Sequence, residues 1–282
     1  MLVWLAACGV GCKSVAPSNS RDWAPELAVL PHAEVQGDLV KVYNVRNCKW
    51  LTSSDFVLDY YDKTYDLNTL ESVDFIVAPF MEQPKLAHTM LSFGFAGGEY
   101  VDLSVEVRRE KNETYNPLAG FARQYEIMYV LGDERDLIQL SANQLHYPMY
   151  VYRVEATQPK MRALFTDVMA RTNKLYKQPE FYNTLSNNCT TNIVNHVNNI
   201  APGRIASNYK TVFTGFSDEY AFELGLLEKH GNFAQTREQA QVNELSIRYA
   251  DEADYSRKIR DPVLREEAVA LRRSVASPTL QR

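Results

Sequence analysis

The chain contains four cysteines, at positions 8, 12, 48 and 189, and five histidines, at 32, 88, 146, 196 and 230. Cys8 and Cys12 fall in an apolar start, which leaves Cys48 and Cys189 as the thiols of the body. Cys189 stands in NTLSNNCTTNIVNHV, where Asn187, Asn188, Thr190 and Thr191 are cap-type residues and apolar positions follow at once. This spacing predicts a helix that begins at Asn188-Cys189 and carries the thiol in its first turn. There, unpaired backbone N–H groups and the helix dipole stabilise a thiolate. The same N–H groups can donate to the oxyanion of a tetrahedral intermediate. Two other arrangements stay open: a small buried hydrophobe, and a Cys48–Cys189 disulfide in an oxidising compartment. No CxxC or Cys/His spacing suggests a zinc site, and no motif calls for a cofactor or metal.

A nucleophilic cysteine needs a histidine within hydrogen-bond reach. His32 and His230 lie among Gly, Pro and Asn residues and read as loop positions, and His146 precedes Tyr147-Pro148 in a turn. His196 is two helical turns beyond Cys189, about 10 Å along the axis and too far for contact. His88 opens the strand-like run HTMLSFGF and is the candidate base. A hairpin about Gly97-Gly98 joins that run to YVDLSVEVRR. A two-residue turn would set an apolar face beside a polar one. A three-residue loop matches apolar to apolar instead, and places His88 directly or diagonally across from Glu106, with Arg108 near. Glu106 is then the candidate to orient the imidazole; the alternative is an exposed Glu106–Arg108 ion pair.

The elements that position these residues follow from periodicity. Strands are predicted over 39–47, within VDFIVAPF, along both hairpin arms, and at 127–130, 137–140 and 150–154. Helices are predicted from Thr157-Gln158-Pro159 to about Tyr176, from Asn188-Cys189 through Val197, and after a capping box at Thr236-Arg237-Glu238-Gln239. Strands largely precede helices, so the fold class is α+β, an antiparallel sheet with packed helices. The chain divides into 1–20, 21–230 and 231–282, the last a charged segment that reads as a solvated helix or a disordered tail from about Asp251.

With 282 residues, 45% of them hydrophobic, the chain can bury a sizeable core. A net charge of −5 with interspersed signs excludes the basic footprint that nucleic-acid binding needs. The opening MLVWLAACGV is too short to span a bilayer. Leu5-Ala6-Ala7-Cys8 has the form of a lipobox, with Cys12 a second candidate, although a basic n-region is missing. The following KSVAPSNSRDWAPE suits a tether. The expectation is an exported, periplasmic protein anchored to a membrane as a lipoprotein.

The strings AHTMLSFGF, LSVEVRRE, YNPLAGFARQYEIMYVLGDERDLIQL, YVYRV and FYNTLSNNCTTNIVNHV carry a resemblance. From about Arg21 to Leu227 the chain resembles the N-terminal periplasmic domain associated with bacterial lacto-N-biosidase, the Lnb-N family. A strand histidine followed much later by Asn-Cys at a helix start is also similar to permuted papain-like folds, the lecithin retinol acyltransferase-like and NlpC-type enzymes. Carried over, His88 matches their histidine and Asn188-Cys189 their nucleophile. Their third polar residue is often histidine; here Asp102, Ser104 or Glu106 is available. No glycosidase is expected within these residues, where no pair of carboxylates reads as placed for glycoside hydrolysis.

Two functions are therefore expected. One is an envelope thiol hydrolase or acyltransferase using Cys189, His88 and Glu106 on a peptide, glycan-linked peptide or acyl substrate. The other is a non-catalytic binding or maturation module for a partner enzyme. Asn188, Ser104, Arg108 and Tyr182 are candidate cleft residues. Tyr115, Arg123, Tyr125, Glu126, Glu134 and Arg135 line a cleft or belong to a structural ion-pair network.

Overall fold

The computed structural model describes residues 16–276 except 115, 117–119, 121 and 122. Its strands, in chain order, are β1 (His32–Gln36), β2 (Leu39–Arg46), β3 (Lys49–Trp50), β4 (Phe56–Val57), β5 (Tyr60–Asp66), β6 (Leu70–Phe80), β7 (Gln83–Phe95), β8 (Glu99–Arg108), β9 (Glu126–Gly132) and β10 (Tyr150–Arg153). The longer helices are α1 (Gln158–Lys177), α2 (Cys189–Ile200), α3 (Phe233–Ala240) and α4 (Pro262–Ala276). This is an α+β fold. Strands β10-β6-β7-β8-β9 form an antiparallel run, and β9 meets β2 in parallel at Gly132–Arg46. The antiparallel β1-β2-β5 group extends the sheet from there.

Helices cover both faces of this sheet, so β6 and β9 are buried on both sides and read as apolar runs rather than as alternation. On one face α1 packs Leu164, Phe165 and Val168 against Phe93, Leu103 and Leu91. The other face, with Ile76, Met90 and Met128, is closed by Leu137 and Ile138 and by the C-terminal residues Tyr255, Ile259 and Ala268.

The β7–β8 hairpin sets the site. Phe95 pairs with Glu99 around a three-residue loop in which Gly97 and Gly98 have φ of 84° and 81°, a conformation that suits glycine. That register, expected from matching apolar faces, sets His88 level with Glu106. The paired ladder nevertheless ends at Met90–Ser104, while β7 stays bonded to β6 and β8 to β9 beyond that point. The two strands part there, and the N-terminus of α2 meets both at the opening.

Several expectations are corrected. Residues 137–139 belong to a helical segment, Glu134–Gln139, whose first turn is capped by the Asp133 carboxylate, and Leu140 opens the π-helical turn Leu140–Gln144 that follows. So short an apolar run does not distinguish strand from helix by period. The cap of α3 is Asn232 with Gln235, and Thr236 lies inside the helix, its hydroxyl accepting from the His230 N–H. Residues 16–27 are not a tether over their described length. Ser18 N–H donates to Glu126, and Trp23 is buried beneath the Arg108 guanidinium at 4.2 Å. The charged C-terminal segment is helical and seated on the sheet, because Arg260 inserts between Asp74 and Glu134. Arg260 is thus an interior partner, while Asp251, Glu252, Glu266, Glu267 and Arg273 remain on an exposed face, as expected of a solvated helix. The apolar start, Cys8 and Cys12 lie outside the described residues.

Candidate functional site

Cys189 is the first residue of α2. Asn188 caps that helix in a reciprocal box: its side chain accepts from Thr191 N–H, and the Thr191 hydroxyl accepts from Asn188 N–H. The Asn188 amide also donates to Thr184 O at 2.7 Å, which ties the preceding turn to the cap. The thiol is therefore held in the first turn, 3.9 Å from Ala87 O. It is 7% exposed. No disulfide joins Cys48 to Cys189; both are free thiols.

His88 faces this turn from β7. Its Nε2 lies 2.6 Å from Ser104 Oγ and 3.3 Å from Glu106 Oε1, and Ser104 donates to Glu106 at 2.5 Å. The directions fix the tautomer. The single Ser104 proton goes to the carboxylate, so the hydroxyl oxygen accepts from Nε2–H, which leaves Nδ1 as the basic nitrogen. Of the three polar residues on this face of β8, Ser104 touches the imidazole and Glu106 backs it. Asp102 is fully buried, and burial, reinforced by Glu134, pushes its carboxyl well above the usual range.

The charges lock together. Burial opposes a charged imidazole, but the Glu106 carboxylate and a hydrogen bond with Cys189 outweigh it and raise His88 to about 10. Burial likewise raises the Cys189 thiol, yet hydrogen bonding to His88, the His88 charge and Thr89 bring it down to about 7. Glu106 follows the same logic. Burial pushes it up, and the His88 charge with hydrogen bonds from His88 and Ser104 hold it near 2.

These groups open into a cleft of about 330 Å³ lined by His88, Glu106, Asn188, Cys189 and Tyr182. Its walls are mainly apolar, among them Leu27, Phe80, Leu86, Val105 and Val212. Thr214, also in its lining, stands where β8 would have paired. Its hydroxyl accepts from Ala87 N–H at 2.6 Å and donates to Ala87 O at 2.7 Å. Gly215 makes this approach feasible, because a Cβ there would lie 2.2 Å from Pro84 O. Sequence reasoning missed Thr89 and Thr214. A glycine directly after Thr214 is the one local hint of a close backbone approach.

Arg108 is not a cleft residue. It is 2% exposed and holds the N-terminal segment through Leu27 O, Ala28 O and Asn19, so no exposed Glu106–Arg108 pair forms. Glu126 pairs with Arg21, Glu134 with Arg260, and Arg135 donates to Glu252 O and Ala253 O; all three are structural. Tyr115 lies outside the described residues. His196 is buried far from the thiol and bonds Asp167 and Tyr129. Among the described residues no group of three or more His, Cys, Asp or Glu side chains is placed to hold a metal ion.

The fold and site define an α+β domain with a helix-capped thiol facing a strand histidine where a sheet opens. By sequence comparison, the model of the family described as Lnb N-terminal periplasmic domain matches residues 57–215, more than half of the chain, and the protein belongs to that family. The match spans His88, Glu106 and Cys189, and the family's periplasmic character agrees with an exported location. Comparison with curated proteins and with solved structures gives no match. No helix among the described residues is long and apolar enough to cross a membrane.

Proposed function

We propose that the domain is a periplasmic thiol hydrolase or acyltransferase, with Cys189 as nucleophile, His88 as acid–base and Glu106, through Ser104, as the group that orients it. The observation that carries this reading is the Cys189 thiol in a helix first turn, drawn down to about 7 by His88 despite burial. The thiolate attacks the carbonyl carbon of an amide, ester or thioester, and first-turn N–H groups of α2 receive the oxyanion. Collapse breaks the bond to the leaving group, which takes the proton from His88 Nδ1, and the acyl group remains on sulfur as a thioester. Water or a second nucleophile then attacks that thioester, gives its proton to Nδ1 and frees the thiolate. Apolar walls suit an acyl chain better than a charged peptidoglycan peptide. The histidine-then-cysteine order supports kinship with permuted papain-like folds, and a lipid anchor at Cys8 or Cys12 would hold the cleft near its substrates.

Incubation with p-nitrophenyl acyl esters of increasing chain length tests the reading. Intact mass should show an acyl adduct that is absent in Cys189→Ala and grows in yield with chain length. No adduct at any length, or one that persists in Cys189→Ala, would refute it. One observation favours a binding or maturation module instead: at 7% exposure Cys189 is nearly closed off. A partner enzyme that matures equally well with Cys189→Ala would decide for that module.

A further inference from the structure

A second pocket, of about 310 Å³, lies between β10 and the C-terminal helices, well away in sequence from the thiol. Arg153, Arg260 and Arg265 all line it, together with Asp74. Asp74 is shared by Arg153, at 2.8 Å, and Arg260, at 2.6 Å, and Arg260 also pairs with the buried Glu134. Asp74 and Glu134 are thus engaged by Arg153 and Arg260, and neither forms an ion pair with Arg265.

Arg265 feels the Asp74 charge but pairs with no carboxylate. Its Nε and Nη1 donate only to the neutral carbonyls Ile259 O and Val151 O. Its Nη2 is buried and has no hydrogen-bond partner among the described residues. Burial, then the like charge of Arg260, lowers this guanidinium to about 10. A guanidinium N–H that is buried and unsatisfied gains from an anion placed against it. The lining adds neutral donors, for Thr236 uses its oxygen to accept from His230 N–H and keeps its proton to give.

We propose that this pocket binds one small oxyanion, a carboxylate or phosphate group on a soluble molecule, with Arg265 and Arg153 as its anchors. Guanidinium forks match both groups. The exposed carboxylates Glu228 and Glu266 in the same lining repel an extended anionic surface, which favours a compact ion over a bilayer. The C-terminal segment then has a role, since it supplies two of the three arginines.

The test is thermal unfolding of the full chain titrated with sodium phosphate or sodium acetate, with ionic strength held constant by sodium chloride. One of the two anions should raise the midpoint saturably, and which one identifies the group. Arg265→Gln should weaken that effect at least tenfold. Arg153→Gln, at a site 37% exposed where Asp74 keeps Arg260 as partner, should weaken it several-fold and decides the matter if the first variant does not fold. Arg273→Gln, two turns further along α4 and outside the pocket lining, should leave it unchanged. A shift that never saturates, or one equal in wild type and both pocket variants, would overturn the proposal. So would Arg265-dependent binding to phosphatidylglycerol vesicles.

Discussion

Cys48 and Cys189 are both buried, at 2% and 7% exposure, yet their thiols are displaced in opposite directions. Desolvation pushes each up. Beside Cys48 stands Asp136, fully buried, whose carboxylate takes two bonds from Arg46, the Cys48 N–H and the Trp50 indole N–H. Burial and then that negative charge carry the Cys48 thiol up to about 12. Beside Cys189 stands an imidazolium, and the thiol falls to about 7. Depth does not separate the two thiols here; the sign of the neighbouring charge does. Asp136 in turn serves the fold, since it clamps the end of β2 and the β3 corner to the helical segment at 134–139.

Four perturbations would break or sharpen this contrast. Asp136→Asn should be the most damaging, because it leaves Arg46 buried without a counter-charge. A stability loss of about 3–5 kcal/mol by chemical denaturation is expected. His88→Ala removes the cation beside Cys189 while burial remains, so the thiol midpoint should climb above the ~8.5 of a free cysteine and alkylation at pH 7 should fall roughly tenfold or more. Asn188→Ala removes the cap of α2 at a cost of about 1 kcal/mol, read as a shifted denaturation midpoint. Glu106→Gln should have the smallest effect. His88 loses its main support, its titration by NMR moves down from about 10 towards the ordinary value, and Cys189 alkylation at pH 7 drops only a few-fold.

The pH dependence carries a sign. With Cys189 drawn down to about 7 and His88 raised to about 10, the proposed mechanism predicts a thiolate–imidazolium pair between those values. Below about 7 the thiol regains its proton and reactivity falls. Above about 10 the imidazolium is lost and with it the proton for a leaving group.

Much of this site was legible in the residues themselves. Cap-type residues around Cys189 announced the helix start, and matching the apolar faces of one hairpin fixed the loop length that sets His88 level with Glu106. Local pattern could not show that the ladder would stop at Met90–Ser104, because that depends on Thr214 arriving from a distant turn to satisfy Ala87. Nor could it show that Ser104 stands between histidine and carboxylate. The C-terminal segment misled for a related reason. Charge near Asp251–Arg265 suggests solvent until Asp74 and Glu134, more than a hundred residues earlier, are seen to be waiting for Arg260.

The most direct test is the rate of Cys189 alkylation by iodoacetamide across pH 5 to 10, in a soluble form lacking residues 1–15 and carrying Cys48→Ala, with and without His88→Ala. An ionisation midpoint near 7 that moves above ~8.5 when His88 is removed is the predicted result. A thiol with an ordinary midpoint in both forms, or one that reacts only after the protein unfolds, would contradict the account.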